Sequence, residues 1–157
     1  MKVMVFDVGG TEIKYSVMDE QMNRFDAGSV PTPQDTQEHF LDTIYALYAP
    51  HKDEVDGIAM ALPGFVDANT GYVSNGGALL YNTGTQVGQL VRERCGCRVT
   101  LENDGKAAGQ LQSCGPVPCR AAAMRQCLSS APAWAAASLP MASWCAAFTL
   151  PPESTAL

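Results

Sequence analysis

The pattern of apolar and polar positions over the first hundred residues predicts strands and helices in alternation. Residues 2–8 form a largely apolar run, which is typical of a buried central strand. Residues 12–18 alternate, with Ile13, Tyr15 and Val17 on one face, and therefore predict a second strand packed against a core. Three further strands are predicted at residues 24–30, 55–62 and 98–102.

Two helices are predicted between these strands. The first begins near Asp35, because Glu38 three residues later completes a capping-box pattern. The second runs from Thr85 to a stop at Gly96. The apolar side chains of the first helix recur at helical spacing: Phe40, Leu41, Ile44, Leu47 and Tyr48.

The turn between the two N-terminal strands carries candidate phosphate-binding residues. Asp7 ends the first strand, and the turn Gly9-Gly10, the hydroxyl of Thr11 and the cation of Lys14 follow it. Paired glycines let backbone N–H groups approach an anion closely. Asp7 is a candidate ligand for Mg²⁺, directly or through water, while Thr11 and Lys14 offer a donor and a positive charge to phosphate oxygens. A tight hairpin with a solvated Asp and Lys is the alternative interpretation.

Two later segments place polar residues after predicted strands. Gly64 follows the fourth strand, and Asn75 and Asn82 lie in a glycine-rich loop whose amides suit sugar hydroxyls. Asn103 and Asp104 follow the last strand, where a carboxylate can accept a proton from a hydroxyl that attacks a phosphorus atom. Taken alone, these residues also suit plain turns, and Asp104 suits a helix N-cap.

Four motifs together resemble the ROK family, which groups sugar kinases with sugar-responsive repressors. They are DVGGTEIK at residues 7–14, ALPG at 61–64, SNGGALLYN at 74–82 and END at 102–104. The third is similar to the branch of glucokinase, β-glucoside kinase and N-acetylmannosamine kinase. The resemblance covers residues 1–108, and it implies an α/β, actin-like ATPase (ribonuclease H-like) N-terminal lobe with a mixed sheet and flanking helices.

The resemblance also implies a division of roles in phosphoryl transfer from ATP to a hexose hydroxyl. Asp104 would be the catalytic base. Binding of ATP and Mg²⁺ would involve Asp7, Gly9, Gly10, Thr11 and Lys14, with Asp7 on the metal. Binding of the hexose would involve Gly64, Asn75, Asn82 and Asn103. The resemblance leaves a homo-oligomer open.

Composition and charge limit the classes of molecule that the chain is expected to bind. The net charge of −6 and the pI near 4.7 argue against nucleic acid, because its phosphates require clustered Lys and Arg. We expect no membrane span, no signal peptide and a cytoplasmic location with reduced cysteines, since six cysteines occur without a secretory signal. His39 and His51 flank the first predicted helix, and we expect both to be solvated surface residues.

The composition changes near Gly109. Residues 109–157 carry 1 acidic and 2 basic side chains, against 15 and 8 in residues 1–108. The family's glycine-rich ATP loop, its second sugar segment and its zinc loop are absent from this tail. Codons permitted by the tail, read two nucleotides later, can encode segments like the missing ones. We therefore hypothesise a frame change near Gly109 and a poorly structured tail at 109–157.

The sequence thus predicts the N-terminal lobe of an ATP-dependent sugar kinase that is inactive as this chain, because one wall of the nucleotide cleft is missing. Two alternatives stay open: a non-catalytic sugar- or phosphate-binding module, and a non-functional gene fragment. A repressor of the same family is disfavoured, because we expect no DNA-binding extension ahead of the hairpin.

Overall fold

A computed structural model describes residues 2–19 and 23–104 of the chain. The strands are β1 Lys2–Val8, β2 Glu12–Asp19, β3 Arg24–Pro31, β4 Gly57–Leu62, β5 Phe65–Asp67, β6 Tyr72–Asn75 and β7 Arg98–Asn103. Five of them form one mixed sheet in the order β3-β2-β1-β4-β7, and the two short strands β5 and β6 form a separate ribbon. The helices are α1 Gln37–Tyr48 and α2 Val87–Cys95, with 3-10 turns at Ala49–His51 and Leu80–Asn82.

The sheet has an antiparallel half and a parallel half. β1, β2 and β3 form a meander, whereas β1, β4 and β7 run parallel to one another. Parallel neighbours require crossover connections, which here contain α1 and α2. All five predicted strands of the sheet are confirmed to within about two residues at their ends.

The hydrophobic core lies where the apolar face of the sheet meets apolar side chains of the helices. Met4, Phe6 and Val8 alternate along β1 and are fully buried, and all six residues of β4 are buried. The helices contribute Phe40, Leu41, Ile44, Tyr48, Val87 and Val91 to the same cluster. Each large side chain removed from water in this way stabilises the fold by about 1.5 to 3 kcal/mol.

The N-cap of α1 differs from the prediction, and the C-cap of α2 agrees with it. Thr36 is the N-cap of α1, and its Oγ1 accepts a hydrogen bond of 3.2 Å from the His39 N–H. The prediction of Asp35 as the cap is therefore wrong by one residue; its carboxylate contacts the His39 ring instead, at 2.9 Å. Gly96 ends α2 in the left-handed conformation, with φ +69°, as predicted.

One of the two histidines does not lie on the surface. His39 is exposed, but His51 is buried, with only 8% of its surface accessible. Its Nδ1 lies 2.6 Å from Glu54 Oε1 and its Nε2 lies 3.3 Å from Asp26 Oδ2. The expectation of a solvated His51 was wrong. Each ring nitrogen has a carboxylate partner, so the imidazole can be buried without losing its polar contacts.

Two predictions fall on other parts of the chain. The tail at 109–157 and the helix expected from about Gly105 lie outside the described residues. Among the residues that are described, no helix has the length and apolar character needed to cross a bilayer.

Candidate functional site

Three parallel strands bring the predicted site residues to one edge of the sheet. Asp7 pairs with Ala61 in the β1–β4 ladder, and Ala61 pairs with Glu102 in the β4–β7 ladder. The segments that follow, at 9–11, 63–64 and 103–104, therefore emerge side by side. In α/β folds, ligands bind at such carboxyl ends of parallel strands.

The carboxyl of Asp7 occupies an electrostatically unusual position. Its pKa is raised from 3.8 to about 6, chiefly by burial; the charge of Lys14 opposes this shift, and the charges of Asp104 and Glu12 add to it. Asp104 is thus close enough to Asp7 for their charges to interact. A strongly shifted carboxyl beside a second carboxyl is typical of functional sites.

The Gly9-Gly10 turn requires glycine for space rather than for backbone conformation. Neither residue has a positive φ. A Cβ on Gly10 would lie 2.8 Å from the Cβ of Ala78, and one on Gly9 would lie 3.0 Å from the Glu12 carbonyl oxygen. Neighbouring protein atoms therefore require glycine at both positions, and the approach of the turn's N–H groups to an anion stays a prediction.

The tip of the hairpin offers backbone donors. The Gly9 N–H donates to the Glu12 carbonyl at 2.9 Å, which closes the turn. The N–H groups of Gly10 and Thr11 have no acceptor within residues 2–19 and 23–104. Adjacent unpaired N–H groups in a turn form an anion-binding concavity, so the tip has the chemistry to bind phosphate.

The hairpin is braced by Thr32 and Gln34, which follow β3 and were not predicted as site residues. Thr32 Oγ1 donates to the Gly9 carbonyl at 2.8 Å, and the Thr32 N–H donates to the Thr11 carbonyl at 3.0 Å. Gln34 Nε2 donates to the Gly10 carbonyl at 2.6 Å. The signal in the sequence is a threonine between two prolines, Pro31 and Pro33; its burial is seen only in the structure.

Positive side chains line a cavity of about 270 Å³ beside Asp7. Lys14 and Arg24 contribute cations, and Ser16 and Ser29 contribute hydroxyls. Lys14 Nζ also lies 3.9 Å from Glu12 Oε2. Arg24 was not predicted as a site residue, because it comes ten positions after Lys14 and reaches the cavity only through the pairing of β2 with β3.

The carboxylates of Asp7 and Asp104 suit a magnesium ion that also binds phosphate oxygens. Among the residues described, no three or more His, Cys, Asp or Glu side chains converge as a metal centre. Kinase sites bind Mg²⁺ through one or two carboxylates together with substrate phosphates. Asp7 with its neighbour Asp104 meets that lower requirement.

A second part of the site is formed by glycines in backbone contact. Gly64 has φ +94°, and a Cβ there would lie 2.0 Å from the Asn75 carbonyl oxygen and 2.7 Å from the Gly77 nitrogen. Gly77 has φ +57° and donates its N–H to Asn75 Oδ1 at 2.8 Å. We call residues 75–77 the sugar-side turn. Its packing on Gly64 places Asn75 beside the carboxyl end of β4.

Asn103 joins the two halves of the site. Its Nδ2 donates to the Gly64 carbonyl at 2.5 Å and to Asp104 Oδ1 at 3.1 Å. The same amide group therefore orients the Asp104 carboxylate and anchors the loop that borders the sugar-side turn.

Asn82 lies deeper than the other candidates. It is buried, with 2% of its surface accessible, and its Oδ1 accepts a hydrogen bond of 3.0 Å from Gln37 Nε2. The same Gln37 amide donates to Thr85 Oγ1 at 2.9 Å. These contacts attach the 80–85 loop to the start of α1, and the assignment of Asn82 to the sugar stays a prediction.

Comparison with known proteins identifies what this arrangement resembles. The model of the ROK family matches residues 3–111. The β-glucoside kinase of Klebsiella pneumoniae is 28% identical over 104 residues, which are 66% of this chain and 35% of that enzyme. The N-acetyl-D-glucosamine kinase of Vibrio atlanticus is 33% identical over 106 residues, which are 63% of this chain and 33% of that enzyme.

A solved structure agrees with these sequences. A ROK family glucokinase from Streptomyces griseus, in complex with glucose and AMPPNP, superposes with a TM-score of 0.64 at 27% identity, covering 71% of this chain and 36% of the glucokinase. The chain spans about a third of the length of the curated relatives it matches. Its sheet with flanking helices is that of the actin-like ATPase fold, and the chain belongs to the ROK family.

Proposed function

We propose that residues 1–108 are the N-terminal lobe of an ATP-dependent sugar kinase and carry half of its active site. The observation that supports this most directly is the parallel pairing of β1, β4 and β7, which brings Asp7 of the phosphate-type hairpin and the candidate base Asp104 to one edge of the sheet. The hydrogen bonds of Asn103 to Gly64 and to Asp104 extend that pair toward the sugar-side turn. The curated relatives are sugar kinases, which supports the same reading.

In this proposal each group has one chemical task. Asp104 accepts the proton of a hexose hydroxyl as that oxygen forms a bond to the γ-phosphorus of ATP; the bond to the β-phosphate oxygen breaks, and ADP leaves. Gly64, Asn75, Asn82 and Asn103 bind the sugar. The backbone of Gly9 and Gly10, with Thr11 and Lys14, binds phosphate oxygens. Magnesium, held by Asp7 directly or through water, would offset the negative charge of the phosphates.

The chain alone is proposed to have little or no kinase activity. Phosphoryl transfer depends on positioning and on charge stabilisation from both sides of the nucleotide. The chain covers about a third of its relatives, so groups beyond that third are needed. We propose that residues 109–157 are read out of frame. Resequencing the codons of residues 107–112 tests this: a one-nucleotide difference supports the proposal, and an unchanged frame refutes it.

A non-catalytic sugar- or phosphate-binding module is the second candidate. It is favoured by contacts among the described residues: Asn103 donates to the Gly64 carbonyl, and Thr32 and Gln34 donate to the hairpin. In this case the half-site would bind a hexose weakly and transfer nothing.

One titration distinguishes these functions. The 157-residue chain is titrated with N-acetyl-D-glucosamine and D-glucose by NMR, with ADP formation measured in parallel when ATP and Mg²⁺ are added. Binding that is lost in Asn103→Ala supports a sugar half-site, and turnover would overturn the proposal of inactivity. Asn69→Ala is the matched control, since Asn69 lies in the exposed β5–β6 turn. Absence of sugar binding would overturn the sugar assignments.

A further inference from the structure

Two large apolar side chains project from the loops on the sugar side of the site. Phe65 is 72% exposed and Leu80 is 73% exposed, the highest values among the large apolar side chains of the described residues. A single exposed apolar side chain is ordinary on a protein surface. Two of them beside one short turn require an explanation.

The backbone places both residues against the sugar-side turn. Phe65 follows Gly64 directly and pairs with Asn75 in the β5–β6 ladder. Side chains opposite each other in an antiparallel pair share a face, so Phe65 and Asn75 lie together on an exposed face. The register is irregular between Phe65 and Val66, and bulges of this kind re-aim side chains next to sites.

Leu80 approaches the turn from its other end. The Leu79 N–H donates to the Gly76 carbonyl at 2.9 Å, and a Cβ on Gly76 would lie 2.1 Å from the Leu79 carbonyl oxygen. Leu79 itself is buried, whereas Leu80, the next residue, faces solvent. Phe65 and Leu80 therefore flank the same three-residue turn: Phe65 pairs with its first residue, Asn75, and Leu80 follows the residue that bonds to Gly76.

We propose that Phe65 and Leu80 form an apolar wall that selects hexoses carrying an apolar substituent, such as the methyl of an acetamido group, over unsubstituted hexoses. Ligand sites combine apolar and aromatic side chains with a few polar groups that set orientation. Here Asn75 and Asn103 supply the polar groups, and the wall supplies a surface that gains more free energy when a methyl or alkyl group covers it than when an unsubstituted hexose does. This inference rests on the proposed function, because it needs a hexose bound at Gly64 and Asn103.

The test compares two sugars that differ in that substituent. The 157-residue chain and its Phe65→Ala, Leu80→Ala and Phe65→Tyr variants are titrated with N-acetyl-D-glucosamine and with D-glucose by NMR. Phe65→Ala is expected to weaken the affinity for N-acetyl-D-glucosamine by about three- to tenfold, and that for D-glucose by less than about twofold. Leu80→Ala is expected to act in the same direction, and Phe65→Tyr to retain the preference because it keeps the ring.

A control removes an exposed aromatic ring elsewhere. Tyr45 lies on α1 and is 42% exposed, so Tyr45→Ala is expected to leave both affinities unchanged. If the parent chain binds neither sugar, the proposed function and the wall are both overturned. If the parent binds but Phe65→Ala weakens both sugars equally, or neither, the wall is overturned and the sugar site stands. Unchanged D-glucose binding shows that the variants are folded.

Discussion

Replacing Asp7 by Asn tests the idea that this carboxyl is held at a cost to stability. In the folded chain its pKa is about 6, chiefly because it is buried, whereas its ordinary value is 3.8. The folded state therefore binds the proton more tightly than the unfolded state. The stability associated with Asp7 is full below about pH 4 and is lost as the pH rises through about 6.

The size of the effect follows from the shift. A pKa shift from 3.8 to about 6 corresponds to about 3 kcal/mol in the free energy of unfolding. Because Asp7 is partly exposed, solvent screening reduces the expected effect to about 2 kcal/mol. Asn has nearly the same shape and no charge. Asp7→Asn is therefore expected to raise the free energy of unfolding by about 2 kcal/mol at pH 8 and to leave it nearly unchanged at pH 4.

Urea unfolding of the parent and the variant, in EDTA, measures this difference at both pH values. Asp67→Asn is the matched control of opposite sign, because hydrogen bonds from Thr70 and Asn69 lower the pKa of the Asp67 carboxyl. Its contribution to stability is present at neutral pH and is lost as the pH falls. If Asp7→Asn is no more stable than the parent at pH 8, or if the gain is equal at pH 4, the Asp7 carboxylate does not destabilise the folded chain.

Two further substitutions test particular contacts. Gly64→Ala places a Cβ 2.0 Å from the Asn75 carbonyl oxygen at φ +94°, so it is expected to destabilise the chain by about 2 kcal/mol or more in urea unfolding and to abolish sugar binding. Gly84→Ala, at φ +74°, places its Cβ no nearer than ordinary contact with the Tyr72 hydroxyl, at 4.0 Å, and is expected to cost less; equal costs would contradict this. His51→Leu removes the hydrogen bond that chiefly lowers the pKa of Glu54, so that pKa is expected to rise toward 4.5 in an NMR titration, and an unchanged value would contradict the contact.

Elements whose signal is local could be predicted from the sequence. Alternation along β2 and the apolar run of β1 each report one strand, and Gly96 marks the end of α2 by itself. The grouping of Asp7 with Asp104 was implied by the family resemblance. It arises because Asp7 lies near the end of β1 and Asp104 follows β7, and the carboxyl ends of these parallel strands share an edge.

Features that depend on distant contacts were not predictable in the same way. The identity of Gly10 reflects Ala78, which lies 68 positions away in the chain, and the burial of His51 reflects carboxylates from the β2–β3 region and from residue 54. Asp35 and Thr36 are both residue types that cap helices, so the residue type does not decide between them, and the structure shows Thr36 as the cap. A single sequence shows residue types at these positions but not the neighbours that select them.

Thr32 holds the phosphate hairpin in place through a hydrogen bond of its buried side chain. Thr32 is 4% exposed, and its Oγ1 donates to the Gly9 carbonyl at 2.8 Å. Thr32→Val keeps the shape and leaves that carbonyl without the donor, so we expect a loss of about 1 to 2 kcal/mol in urea unfolding and weaker stabilisation by inorganic phosphate with Mg²⁺.

A similar bond on the surface provides the control. Thr43 Oγ1 donates to the His39 carbonyl at 2.8 Å on an exposed part of α1. Thr43→Val removes the same kind of bond where water can replace the donor, so its effect is expected to be smaller and independent of phosphate. Equal effects of the two substitutions, or undiminished stabilisation of Thr32→Val by phosphate, would show that the hairpin does not depend on Thr32. A selective loss would mean that the anion-binding shape of the hairpin is maintained by contacts within this lobe.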